Sequence, residues 1–197
     1  DAEMLSQASL LPDPRGPAVF RHAGNDLVGL ADVLGEHDYS TLVAVPFRVN
    51  FWNRRYSHPA FGFQTRLYDG DFERGKKIGW GLNDRDFLRQ AAARLPDLPE
   101  PWFAYLITLS NHHPFADFPE ELEILDLAEV SDGPVRGYLH SMRWADEAVG
   151  ELLTALDESG LASRTVVVVF GDHGSGLRRI VDDSNVMAFG ENRPQTI

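Results

Sequence analysis

Three apolar runs, and the helical periodicities between them, predict an α/β fold: a mainly parallel sheet with helices on both faces, incomplete at both ends. Residues 41–47 (TLVAVPF), 102–110 (WFAYLITLS) and 165–170 (TVVVVF) are short, rich in β-branched or aromatic side chains, and lack polar alternation. Strands covered on both faces of a parallel sheet look like this. Amphipathic stretches separate them, so strand, helix, strand units of the parallel type are expected.

The chain opens with DAEMLSQASLL, acidic in its first turn, with Met4, Ala8 and Leu11 at helical spacing; a short helix ending before Pro12 is expected. Asn25 is expected to cap a helix to Gly35 that turns Leu27, Leu30, Ala31 and Leu34 inward. Pro46 ends the first strand or places it at an edge. Residues 49–63 (VNFWNRRYSHPAFGF) show no period of either kind and read as an ordered loop dense in rings, Arg and Asn. Asn83 caps a second helix carrying Phe87, Leu88, Ala91 and Leu95, in a segment that suggests no chemistry. Residues 117–132 carry seven acids and no base, most economically a solvated excursion, with calcium binding as the alternative. A long helix then runs to Ser159 with Tyr138, Met142, Ala145, Val149, Leu152 and Leu156 as its core stripe, and Gly160 as terminator. Met142 and Trp144 are read as packing residues. Beyond Gly174 the chain shows neither a strong strand nor a clean helix.

Two of the strands deliver polar loops at their carboxyl ends, where α/β sheets present ligands. After residue 170 come Gly171, Asp172, His173 and Gly174, a carboxylate and an imidazole flanked by glycines that permit close approach to a metal ion. After residue 110 come Asn111, His112, His113 and Pro114. Between the first two strands, Trp52, Arg54, Arg55 and His58 could offer a stacking wall and guanidinium forks to an anionic head group. Each cluster also has a bland reading, as a polar turn or a packed loop. Their repetition at strand ends favours a shared site.

Composition narrows the functional classes. With a net charge of −12 and no basic stripe, a nucleic-acid partner is not expected. No run approaches the roughly 18 apolar residues needed to cross a bilayer, and the first residues lack the regions of a signal peptide, so the stretch itself is expected to be soluble. Without cysteine, any metal must be held by oxygen and nitrogen ligands.

FWNR at 51–54, TLSNHHPF at 108–115, and the stretch from YLHSMRW to VFGDHG at 138–174 together resemble the lipoteichoic acid synthase type of sulfatase-like enzyme, in the alkaline phosphatase superfamily. The order and spacing agree, and DAE at the start resembles the residues just after that family's catalytic threonine. The resemblance implies a metal-dependent phosphoglycerol transferase of the bacterial cell envelope, moving glycerol phosphate from a phospholipid or other phosphodiester donor to a glycan or polymer acceptor. It makes Asp172 and His173 ligands of a divalent metal, manganese first, with magnesium or zinc as other candidates. It places Trp52, Arg54 and His112 around the phosphoglycerol group, and gives His113, where the family often has an aromatic residue, less weight. Val45, Pro46 and Phe47 depart from the His and Asp often found before FWNR.

By the same resemblance, residues 1–197 form part of a single sulfatase-like catalytic domain whose threonine nucleophile is expected upstream of Asp1. This chain alone is expected to bind metal weakly and to be inactive. The parent protein is expected to be extracytoplasmic, at the cell surface or in the periplasm, anchored in the inner membrane by parts not in this chain. Two other readings stand beside this one: a sulfatase or phosphohydrolase of the same superfamily, and a non-catalytic anion-binding module. Alanine in place of Arg54 or His112 is expected to reduce turnover without altering stability.

Overall fold

The computed structural model describes residues 2–11, 15–22, 24–115, 118–131, 133–175 and 177. Two short helices, α1 (Ala2–Ala8) and α2 (Ala18–Arg21), precede α3 (Leu30–Glu36). The third helix starts four residues later than the Asn25 cap predicts. Gly29 is its N-cap, and the Asp32 carboxylate accepts the Gly29 N–H at 2.9 Å. Only Ala31 of this helix is buried, while Leu30 is 40% exposed. Pro12 lies outside the described residues.

Strand β1 (Ser40–Ala44) is followed by a single 3-10 turn over Phe51–Asn53 and helix α4 (Arg54–Ala60), where the sequence suggested an irregular loop. Strand β2 (Thr65–Leu67) then returns to the sheet; its three residues carry no sequence signal of their own. Next comes a small antiparallel hairpin, β3 (Lys77–Ile78) and β4 (Gly81–Leu82), joined by Gly79 and Trp80. A side chain at position 81 would meet the Pro46 carbonyl oxygen at 2.6 Å, so glycine lets the hairpin lie against the end of β1. Helix α5 (Asp84–Ala92) is capped as expected: the Asn83 side chain accepts the Asp86 N–H at 3.1 Å. Strand β5 (Trp102–Leu106) and the long helix α6 (Gly133–Glu158) complete the described elements.

The sheet has the order β2-β1-β5, all parallel, with Ser40 to Ala44 of β1 paired to Trp102 to Leu106 of β5. Alternate residues of β1 face opposite sides. Leu42 and Ala44 join Phe87, Leu88, Ala91, Ala148, Leu152 and Leu156 from α5 and α6. Val43 joins Met4, Val19, Ala31, Phe61 and Phe63, with Phe103 and Tyr105 packed alongside. Helices therefore cover both faces, as predicted. Burial of each ring such as Phe61 or Phe87, both 0% exposed, contributes about 2–3 kcal/mol through apolar surface removed from water.

The inner face of α6 is rotated from the predicted stripe. Val135, His140, Ser141, Trp144, Ala148, Leu152 and Leu156 are buried, while Met142 is 43% exposed. Trp144 is a packing residue as predicted; Met142 is not, and its sulfur accepts the Asn111 side-chain N–H at 2.7 Å. The helix ends at Gly160 in a left-handed conformation (φ 70°), with the Leu161 N–H reaching the Leu156 carbonyl and the Gly160 N–H that of Asp157. Both bonds satisfy carbonyls that the helix end leaves open.

The largest correction concerns residues 165–170. They form no strand, and Val166, Val168, Val169 and Phe170 are 88%, 73%, 66% and 53% exposed. Phe170 nevertheless stacks on Tyr105 of β5, with centroids 6.5 Å apart at 30°. A doubly buried strand needs ladder hydrogen bonds and cover on both faces, and among the described residues no layer reaches this run. Of the acidic excursion, Asp117 and Asp132 lie outside the described residues, as do residues 178–197. Within it, Glu121 pairs with Lys76, and Glu123 pairs with Arg136 and lies 3.4 Å from His140.

Candidate functional site

The carboxyl end of β1 feeds the FWNR turn, and the chain there takes up uncommon backbone. Trp52 and Asn53 both have positive φ, 50° and 57°. Such residues cost of order 1 kcal/mol each and persist only where surroundings over-determine them. Here the Asn53 side chain donates to the Val19 carbonyl at 2.7 Å, and Trp52 lies between Phe20 and Phe51, each 5.8 Å away. Trp52 keeps 41% of its surface open.

Arg54 occupies a different setting from the open fork that its sequence context suggested. It is 4% exposed, donates through Nε and Nη2 to Glu3 Oε1 at 3.3 and 3.1 Å, and lies 5.6 Å over the Phe51 ring. Its Nη1 is buried and has no hydrogen-bond partner among the described residues. His58 is likewise buried, with Nε2 at 3.2 Å from the other Glu3 oxygen and Nδ1 at 3.1 Å from the Tyr68 hydroxyl. Burial alone would raise the Glu3 carboxyl; the His58 and Arg54 contacts outweigh it and hold the group below its ordinary value. Glu3 is a residue the sequence reading passed over.

At the end of β5, the loop bearing His112 is held by Asp84, the first residue of α5. Its Oδ1 accepts the N–H groups of Leu109 and Ser110 at 2.8 and 3.0 Å, and the Asp84 N–H donates to the Ser110 hydroxyl at 2.9 Å. From the other side, the Ser141 hydroxyl of α6 donates to the Asn111 side-chain oxygen at 2.6 Å. His112 is partly buried, and burial holds its imidazole below its ordinary value, against the opposing influence of the His113 carbonyl and of Asp172. Nδ1 lies 2.7 Å from that carbonyl, which assigns the proton to Nδ1 and leaves Nε2 as an acceptor.

Trp80, at the tip of the β3–β4 hairpin, joins the two loops. Its ring lies 3.8 Å from His112 and 5.2 Å from Phe51, which in turn contacts Trp52. An unbroken row of rings thus runs from Trp52 to His112. The segment that suggested no chemistry supplies both the centre of this row and, in Asp84, the clamp behind it. A Gly-Trp-Gly tripeptide was the available signal, since an aromatic between two glycines reads as a ring presented by a tight turn.

Asp172 and His173 come directly after the exposed run. His173 Nε2 is 3.7 Å from Asp172 Oδ2, and both side chains are open to solvent. The Asp172 charge acts on both His112 and Tyr105, and Tyr105 in turn feels Glu3 and Arg54. As donors, one carboxylate and one imidazole suit manganese, magnesium or zinc. His173 Nδ1 is engaged by the Gly174 carbonyl at 2.7 Å, which leaves Nε2 as the nitrogen open to a further partner. Among the described residues no group of three or more His, Asp or Glu could close around an ion.

The sulfatase family matches residues 5–194. The chain belongs to that family. Among proteins that it resembles, the lipoteichoic acid synthase-like YvgJ of Bacillus subtilis (strain 168) is 32% identical over 175 residues, 88% of this chain and 28% of that protein. The crystal structure of the lipoteichoic acid synthase LtaP from Listeria monocytogenes superimposes with a TM-score of 0.76 at 25% identity, over 82% of this chain and 40% of that one. The phosphoglycerol transferase GacH of Streptococcus pyogenes, in complex with sn-glycerol-1-phosphate, shares the fold alone, at 18% identity and a TM-score of 0.58 over 80% of this chain and 44% of that one. The chain thus spans between about a quarter and a half of the length of these sulfatase-family relatives. Its α/β sheet also shares the fold of a protein in the alkaline phosphatase superfamily from Vibrio parahaemolyticus, at 23% identity and a TM-score of 0.64 over 81% of this chain and 39% of that one. No described helix is long and apolar enough to cross a membrane.

Proposed function

We propose that this chain is part of a metal-dependent phosphoglycerol transferase that acts outside the cytoplasm. The donor is a phospholipid with a glycerol phosphate head group and the acceptor a hydroxyl of a glycan or polymer. The observation that carries the reading is the row of rings from Trp52 through Phe51 and Trp80 to His112, which joins the two polar loops beside Asp172 and His173.

In the transfer, an oxygen nucleophile loses its proton and forms a bond to phosphorus, while the bond to the diacylglycerol oxygen breaks and that oxygen takes up a proton. Arg54, through its unpartnered Nη1, stabilises charge on the phosphoryl oxygens. The uncharged His112 accepts a hydrogen bond at Nε2 from a hydroxyl, either of the glycerol or of the acceptor. Trp52 shapes the wall beside them. Asp172 and His173 would hold the divalent metal, which when bound supplies further charge neutralisation at phosphate.

His112 gives the cleanest test, because its ring contributes no buried polar bond to the core. In the full-length protein supplied with phosphatidylglycerol vesicles, His112→Ala should reduce diacylglycerol release at least tenfold while leaving metal content and melting temperature nearly unchanged. Unchanged release would remove His112 from the site. Release of free glycerol phosphate with no acceptor product would favour a hydrolase of the same superfamily.

A further inference from the structure

We propose that Glu3, backed by His58 and Tyr68, is a positioning residue for Arg54: it fixes the guanidinium so that one donor face stays available to an anion. This inference rests on the reading of Arg54 as a phosphate contact.

The observation is how the carboxylate is shared. A salt bridge built for its own sake sets both carboxylate oxygens against both ends of the guanidinium fork. Glu3 does otherwise. One oxygen, Oε1, takes both Nε and Nη2 of Arg54, and the second, Oε2, is given to His58 Nε2 at 3.2 Å. The far side of the guanidinium is left over: Nη1 is buried, within a residue 4% exposed, and meets no acceptor among the described residues. Burying an unused charged donor is costly, and proteins rarely retain one without a use.

The support behind Glu3 is equally closed. His58 is 1% exposed and stacks on Tyr68 with centroids 5.8 Å apart at 10°. Its Nδ1 meets the Tyr68 hydroxyl at 3.1 Å, and that hydroxyl donates back to the Arg54 carbonyl oxygen at 3.5 Å. Side chain and backbone of Arg54 are therefore gripped by one circuit of three residues drawn from α1, α4 and the end of β2. Contact with His58 and Arg54 also keeps Glu3 ionised, so the grip persists at neutral pH. An arginine held in this way loses little further freedom when it meets a ligand.

A double-mutant cycle in the full-length protein separates this from a merely structural ion pair, with diacylglycerol release from phosphatidylglycerol vesicles as the readout. Glu3→Gln keeps an acceptor for Arg54 but not the charge, and should lower kcat/KM about tenfold. In an Arg54→Lys background, already weakened at least tenfold, the same change should have less than a twofold effect. Tyr68→Phe, a milder change that removes only the hydroxyl, should cost about threefold in the native background and nothing in the lysine one; it carries the test if Glu3→Gln does not fold. If Arg54→Lys is harmful but Glu3→Gln and Tyr68→Phe are neutral, or if they are equally harmful in both backgrounds, the positioning role is wrong while the Arg54 reading stands. If Arg54→Lys is itself neutral, the reading beneath it fails and the positioning role with it.

Discussion

Alanine at Arg54 is expected to cost the protein both turnover and stability. The side chain sits in a nearly closed circuit with Glu3 and His58, and its removal leaves a mostly buried carboxylate facing only an imidazole. Breaking a buried pair from one side costs about 3–5 kcal/mol; partial exposure of Glu3 points to the lower end, about 3 kcal/mol. In a domain of this size that lowers the melting temperature by about 6–12 °C, and by less in a larger one. Turnover per folded molecule should fall tenfold or more, since phosphate loses its guanidinium. Calorimetric melting together with diacylglycerol release corrected for folded fraction checks both parts. The structure thus overturns the expectation, drawn from the sequence, that this substitution leaves stability untouched.

Asp84→Ala is the second large effect. Its carboxylate accepts two buried backbone N–H groups, from Leu109 and Ser110, and alanine leaves both without a partner. At about 1–3 kcal/mol for each buried donor, the loss should total roughly 3 kcal/mol. The His112 loop should also lose its register, so activity per folded molecule falls as well. Asp84→Asn keeps the Oδ1 acceptor and should be far milder. Its pH dependence is diagnostic. Burial holds the Asp84 carboxyl above its ordinary value of 3.8, against the pull of the Leu109 and Ser110 N–H groups. A raised native value means that the contribution of this group is complete below 3.8 and shrinks as pH rises through the native value. The stability of the wild type relative to Asp84→Asn, followed by denaturant unfolding, should therefore fall as pH rises from about 3.8. A difference that grows with pH would mean that Asp84 is stabilised as an anion.

The parts of the fold legible in the chain were those that short-range pattern encodes. Asn83 announces its helix because its partner, Asp86, is three residues away, and Phe87, Leu88 and Ala91 recur at helical spacing. Residues 41–45 and 102–106 read as strands because both runs are apolar without alternation, β1 being mostly buried and β5 half-buried. Partners far apart in the chain left no such trace. Glu3 finds Arg54 across 51 positions and Asp84 finds Ser110 across 26, so an acidic first turn and a helix N-terminus were all that those residues showed. Trp80 was overlooked for the same reason, its importance lying in rings contributed by two other loops. The run at 165–170 failed in the opposite direction. Its composition asks for a doubly covered strand, but cover is a property of neighbours, and among the described residues Phe170 touches β5 only through Tyr105.

The site residues themselves were named from motifs, and the geometry recasts them unevenly. Trp52 is half open to solvent, whereas Arg54 is buried in the core and, in the role proposed for it, turns one nitrogen toward the substrate. A guanidinium in that position links the fold to the chemistry: the same contacts that lock it are the ones that decide which donor it offers.

The most direct test measures diacylglycerol release by the full-length protein on phosphatidylglycerol vesicles with manganese, comparing the wild type with a variant in which Asp172 and His173 are both alanine. Release by the wild type that stops on chelation, returns with manganese, and is absent in the variant together with its bound manganese is the predicted result. Release that survives both chelation and loss of the pair would contradict the assignment of this edge of the sheet as a metal-dependent phosphoglycerol transfer site.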